Sequence, residues 1–184
     1  THPVKPDELY LNQLADSVSK YKKYVSPTLI AFKSILFSAR NIAGYIGSVP
    51  LPRNHPIAVF WKWSPSASFI PKKFSQEKSI SRLQYAYDYQ LKLVKAFNKK
   101  GVAMLVGTDS PTIPGLVPGY SLHQEMRILN EAGLSNYDIL KSATLNAAKF
   151  LNLSSDFGSI EVGKEASFIL LSKNPLDDIE NTLS

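Results

Sequence analysis

An unbroken apolar run at residues 102–106 closes on the polar sequence Gly107-Thr108-Asp109-Ser110. An apolar stretch of that length between turn residues reads as a strand buried on both faces. Such strands belong to parallel sheets with helices packed against both sides. The run delivers one carboxylate, Asp109, just past the carboxyl end of the strand, where α/β proteins place their chemistry. A carboxylate there equally serves to cap the turn that follows. The next stretch, PTIPGLVPGYSLHQEM, is a Pro/Gly-rich loop that leads into a helix.

Around this strand the chain alternates. A helix is expected from Pro6, Asp7 and Glu8, with Leu11, Leu14, Val18 and Tyr21 as its apolar stripe. KYVSPTLIAF reads as a short strand, with Pro27 and Thr28 near its exit. Residues 41–75 read as a long irregular segment, and their aromatic residues suit a lid or pocket wall. Ile80, Leu83, Tyr87, Leu91 and Val94 mark a long amphipathic helix that Gly101 stops. Ser121 with Gln124 has the pattern of a capping box, and Gly133 closes the helix it opens. Ser135 with Asp138 opens another, whose expected buried stripe is Ile139, Leu140, Ala143, Ala147, Phe150 and Leu151. FGSIEVGKEASFILLS reads as a β-hairpin about a Gly-Lys-Glu turn. Helix and strand in turn are the rhythm of a β/α barrel or a doubly wound sheet. The two parallel strands here cannot close a barrel, so the chain reads as a piece of one.

Composition excludes several classes. The 184 residues contain no cysteine, which rules out disulfides, thiolate metal sites and a cysteine nucleophile. No apolar run approaches the roughly 18 to 20 residues of a membrane span. Residues 1–100 carry 16 Lys/Arg against 5 Asp/Glu, and residues 101–184 carry 5 against 10. The cations are spread over several expected helices and loops, so a solvated surface fits better than a nucleic-acid interface. Ser26, Ser110 and Ser121 lack a nucleophile-elbow context. Gly107, Gly115 and Gly119 form no phosphate-binding fingerprint. The chain opens on THPVKPDEL, with no basic-then-apolar leader, and is expected to be truncated or processed there, leaving localisation open.

Taken in order, these segments resemble the metal-dependent amidohydrolase superfamily, in particular its imidazolonepropionase-like and Xaa-Pro dipeptidase-like members. GVAMLVGTDS resembles the eighth barrel strand, and VPGYSLHQEMRILNEAGLS the loop and helix after it. DILKSATLNAAKFLNL resembles the following helix, and FGSIEVGKEASFILLSKNPLDDIENT the segment that returns to a small β-sandwich. YVSPTL resembles the seventh strand. The resemblance implies the carboxyl-terminal part of a (β/α)8 TIM barrel at residues 1–153, with strands of the β-sandwich at 154–184.

It also implies hydrolysis of a C–N bond, in an amide, dipeptide or cyclic amide, by water activated at one or two divalent ions, of which zinc fits best. Asp109 matches the family's strand-eight carboxylate. In that role it touches the metal, takes a proton from the water and passes it to the departing amine. The family's His-x-His pair is absent, because the only histidines are His2, His55 and His123. His2 stands 25 positions before Pro27, close to the spacing of the sixth-strand histidine ligand, or is a plain terminal histidine. His55 reads as a surface histidine. His123 could face the substrate or sit solvated in a first helical turn. Trp61 and Trp63 could stack on a ligand or pack beneath the long loop. One carboxylate and at most one histidine cannot hold a catalytic metal, so the missing amino-terminal portion, or a second copy, is expected to complete the barrel. A scaffold fragment that folds on a partner and a basic nucleic-acid-binding module are the competing readings.

Overall fold

A computed structural model describes residues 7–52, 54–63 and 65–184. The chain divides into two compact units. One comprises the described part of Thr1–Pro27, with Tyr89–Gly107 and Met126–Ser184; the other comprises Thr28–Asp88 and Thr108–Glu125.

The first unit opens with α1 (Glu8–Lys20), capped by Asp7, whose carboxylate accepts the Leu9 amide at 3.1 Å. Its buried positions are Leu11 and Ala15; Tyr21, expected to complete the stripe, follows the helix and is exposed. Strand β1 (Tyr24–Val25) pairs in parallel with β2 (Ala103–Met104), with Tyr24 opposite Ala103 and Val25 opposite Met104. The Leu105 amide extends the ladder to the Val25 carbonyl at 2.9 Å. The parallel pairing expected of residues 102–106 is therefore present, although both regular strands are brief. Before β2, the Lys100 ammonium meets Asp16 at 2.7 Å, and the Ser19 hydroxyl donates to the Lys100 carbonyl. The Met104 carbonyl accepts from the Asn146 side chain at 3.0 Å.

Gly133 ends α6 (Tyr120–Glu131) as the sequence leads one to expect. It lies at φ 99°, its amide donates to Asn130, and the Leu134 amide reaches back to Leu129. This is a Schellman closure, and it needs a left-handed residue at that point. Ser135 caps α7 (Asn136–Ala143) by accepting the Asp138 amide, as expected. The single helix foreseen there is broken at Thr144 (φ −125°, ψ −87°), and α8 (Leu145–Phe150) follows. The break shifts the helical phase. Ile139 and Ala148 are buried, whereas Phe150 and Leu151 are more than half exposed. Phe150 instead meets Tyr24 edge-on at 5.5 Å.

The expected hairpin at residues 157–172 is absent among the described residues. Turns replace it, with Gly163 at φ 91° and Lys164 bonded back to Glu161. Ile160, Val162, Ile169 and Leu170 are at least 80 % exposed. A lone two-stranded hairpin buries too little to hold itself in water. The unit ends in a 3-10 turn at Ile179–Leu183, whose Glu180 pairs with Arg127 through two guanidinium nitrogens.

In the second unit, LIAF is helical rather than extended: α2 spans Leu29–Ser48. Pro27 offers no amide for a ladder, and Thr28 turns the chain in the left-handed region (φ 51°, ψ 44°). A short apolar run cannot by periodicity alone be told from a buried helix, and Leu29, Ile30, Ala31 and Leu36 are indeed buried. Asn41 kinks α2, with φ −160°, and its side-chain oxygen accepts the Gly44 amide to start the second segment.

The segment 41–75, expected to be irregular, also carries α3 (Pro56–Trp63) and α4 (Pro65–Phe74). Pro56 and Pro65 stand at first helical positions, where a missing amide costs nothing, so they start helices rather than break them. The amphipathic helix foreseen after it forms as α5 (Glu77–Lys99), which runs from this unit into the first. No helix among the described residues is long and apolar enough to cross a membrane.

Candidate active site

Beyond β2 the chain enters a tight turn at Asp109, which holds φ 54°. Aspartate is among the few non-glycine residues that tolerate this region, and such outliers cluster at functional sites. The turn is fastened by main-chain oxygens and by the Thr108 hydroxyl. The Asp109 carbonyl accepts both the Thr112 amide at 3.1 Å and the Thr112 hydroxyl at 2.5 Å. Thr108 Oγ1 accepts the Ser110 amide, and the Ser110 hydroxyl donates to the Leu116 carbonyl at 2.7 Å. Asp109 itself is exposed, and its carboxylate makes no hydrogen bond or ion pair among the described residues. The turn-capping alternative thus falls to the backbone and to Thr108, and the carboxylate is left free.

The loop at 110–119 is shaped from below by α2 and α3. Trp61 is fully buried, and its indole N–H donates to the Pro111 carbonyl at 3.0 Å. Its ring therefore packs under the loop rather than standing open to a ligand. Tyr45 fills the space beside Gly115. Its hydroxyl shares a 2.6 Å hydrogen bond with Ser34, and burial pushes the phenol above its ordinary value of 10.0, against the pull of that bond. Gly115 lies at φ 92°, and any Cβ added there would run into the Tyr45 ring.

The first two turns of α6 contribute two polar groups, Ser121 and Glu125, both at 0 % exposure. Four residues apart, they share one helical face. Ser121 does not cap its own helix with Gln124 as expected. Its hydroxyl reaches upstream to accept the Val117 amide at 2.9 Å, and approaches Gln124 Oε1 only at 3.3 Å. Glu125 Oε1 accepts the Leu29 amide at 2.9 Å and Oε2 accepts the Ile30 amide at 2.6 Å. These are the first free amides of α2, and Thr28 supplies no side-chain cap for them. Burial pushes the Glu125 carboxyl up to about 7. The two amides pull against that rise, and the negative charge of Asp109 adds to it.

The sequence reading passed over Glu125, though a signal was present. Leu122, Glu125, Met126 and Leu129 recur at helical spacing, so an acid interrupts an apolar stripe. A buried acid requires partners, which marks the position for attention.

The remaining candidates are dispersed. His123, in the first turns of α6, is half-buried. His55 accepts the Ile57 amide on Nδ1 at 3.2 Å, at the start of α3. His2 and the side chain of Trp63 lie outside the described residues. Among the described residues no three His, Asp or Glu side chains gather as a metal site. Asp109 offers one hard oxygen donor suited to a divalent cation, and a catalytic site needs about three protein ligands. The described residues alone therefore do not make a metal centre.

Comparison with known proteins bears on the same segments. The model of the amidohydrolase family matches residues 86–184, more than half of the chain. Imidazolonepropionase of Pseudomonas savastanoi pv. phaseolicola is 39% identical over 84 residues, covering 44% of this chain and 20% of that protein. Ochratoxinase of Aspergillus niger is 31% identical over 105 residues, covering 56% of this chain and 21% of that one. The chain thus spans about a fifth of the length of these curated relatives. Among solved structures, a Xaa-Pro dipeptidase with methionine bound in its active site aligns with a TM-score of 0.62 at 21% identity. That alignment covers 92% of this chain and 33% of the dipeptidase. The likeness is one of fold, and it assigns the mixed α/β arrangement to a part of the TIM-barrel type seen in these enzymes. By the match of its carboxyl-terminal half, the chain belongs to the amidohydrolase family.

Proposed function

We propose that the protein carrying this chain hydrolyses a C–N bond in a small amide, dipeptide or cyclic amide, and that Asp109 transfers the proton. The observation that carries this reading is the free Asp109 carboxylate, held at φ 54° in a turn whose hydrogen bonds are all made by other groups. A carboxylate so placed takes a proton from the attacking water and returns it to the departing amine, a contribution of about 100-fold or more. Imidazolonepropionase, deaminase and prolidase relatives support cleavage at carbon–nitrogen bonds. The family is generally metal-dependent. In our reading one or two zinc ions supply Lewis acidity, with Asp109 and His2 among their ligands and the other donors coming from outside the described residues. His123 is the substrate-facing candidate on α6, and Trp61 shapes the site through the Pro111 contact. The same reading makes residues 1–153 part of a barrel and 154–184 a return to a small β-sandwich. The exposure of Ile160, Val162, Ile169 and Leu170 supports that return.

The test uses the full-length protein and a panel of amides and Xaa-Pro dipeptides. Asp109→Asn preserves shape while removing charge and basicity, so turnover should fall at least about 100-fold with the melting temperature unchanged. Near-normal turnover in this variant would overturn the assignment.

A further inference from the structure

Ser121 and Glu125 are buried, lie on one face of α6, and bind different segments. Ser121 holds the far end of the loop that begins at Asp109, through the Val117 amide. Glu125 holds the amino end of α2, through the Leu29 and Ile30 amides. In chain order these are the segments that follow β2 and β1 respectively. The Asp109 loop is tied again inside itself, by Ser110 to the Leu116 carbonyl, so the Val117 anchor transmits to the catalytic turn. Thr28, at the N-cap, sits in the left-handed region with no side-chain cap, and the first amides of α2 go to a carboxylate 96 residues beyond Leu29.

We infer that the Ser121–Glu125 face of α6 is a positioning device. It fixes the α2 amino end and the Asp109 loop against one helix, and so sets the geometry in which Asp109 works. The inference rests on the hydrolytic reading above for its catalytic consequence, and on the hydrogen bonds alone for its structural one. Glutamate is required because each of its two oxygens accepts one amide. Glutamine keeps the size but offers one acceptor, and turns an N–H₂ donor against the second amide.

The experiment compares Glu125→Gln with Leu129→Ala in the full-length protein. Leu129 is a fully buried apolar residue one turn further along the same helix, and its truncation lowers stability while removing none of the hydrogen bonds to Leu29, Ile30 and Val117. At a temperature where both variants are folded, Glu125→Gln should lower kcat at least tenfold with KM changed less than threefold, whereas Leu129→Ala should stay within twofold of the parent. Amide hydrogen exchange provides the readout independent of turnover. Exchange at Leu29 and Ile30 should quicken in Glu125→Gln beyond any change in Leu129→Ala. Equal loss of kcat in the two variants, or unchanged protection of Leu29 and Ile30 in Glu125→Gln, would overturn the inference. If the parent protein hydrolyses none of the panel, the hydrolytic reading fails by itself, and the exchange arm still decides whether Glu125 anchors the α2 amino end.

Discussion

Gly115 offers a quantitative check on how the Asp109 loop is packed. A Cβ added there would stand 2.6 Å from Tyr45 Cζ and 2.9 Å from its Oη, and nearer still to Cε1. Ordinary carbon contacts sit at about 3.5 to 4 Å, so the ring has to retreat by about 1 Å. Three costs follow from Gly115→Ala. A side chain at φ 92° adds about 1 to 2 kcal/mol of backbone strain. Forcing the packed ring aside adds about 1 to 3 kcal/mol. Displacing the Tyr45 hydroxyl from Ser34 adds about 1 kcal/mol. The stiffer unfolded chain returns about 0.4 to 1 kcal/mol, which leaves a net loss of about 2 to 5 kcal/mol. Gly119 is the internal control. It holds φ 81°, but a Cβ there would meet nothing within 4 Å, so Gly119→Ala should cost only about 1 kcal/mol. Equilibrium denaturation of the two variants measures the difference. A double-mutant cycle with Tyr45→Ala should recover about 2 kcal/mol at position 115 and none at 119. Equal losses in the two glycine variants, or no coupling to Tyr45, would refute the claim that the ring props the loop.

Two further outcomes follow from buried groups. The Glu125 carboxyl is raised from 4.5 to about 7 in the folded chain, so its contribution to stability is complete below about pH 4.5 and is lost as pH rises through 7. Relative to Glu125→Gln, which does not titrate, the parent should lose ~3 kcal/mol over that window, and denaturation curves at pH 4.5 and 8 check the sign. Trp61→Phe removes the indole donor from the Pro111 carbonyl and should cost about 1 to 3 kcal/mol in stability, with a smaller proportional change in KM; a large rise in KM at unchanged stability would instead mean that the ring meets substrate.

How much of this was legible in the chain varies with the range of the interactions. Local chemistry was readable wherever it was self-contained. Asp7 and Ser135 cap their helices, and Gly133 takes the left-handed closure, because each acts on residues within about one turn. The parallel pairing within 102–106 was likewise visible, although only Ala103–Met104 form the strand and only Val102 and Met104 of the run are buried, and Asp109 follows it in an exposed turn. Some of the readings that failed needed a partner distant in sequence. LIAF became a helix, although its apolar pattern fits either state, because Pro27 ends pairing and the Glu125 carboxylate caps α2. Residues 41–75 read as irregular, yet Pro56 and Pro65 start helices there, which depends on which amide would otherwise go unpaired. The apolar alternation at 157–172 suggested a hairpin, yet strands need a sheet to bury against, and those side chains remain exposed.

Sequence by itself thus determined the amidohydrolase family and the apolar strand after Gly101, and it placed the Asp109 carboxylate just past that strand's end, each in a contiguous stretch. Tertiary structure decided which buried groups hold that carboxylate in place. Trp61, Tyr45, Ser121 and Glu125 acquire their roles from hydrogen bonds and contacts spanning from a few residues to about a hundred, and no periodicity records a partner that far away.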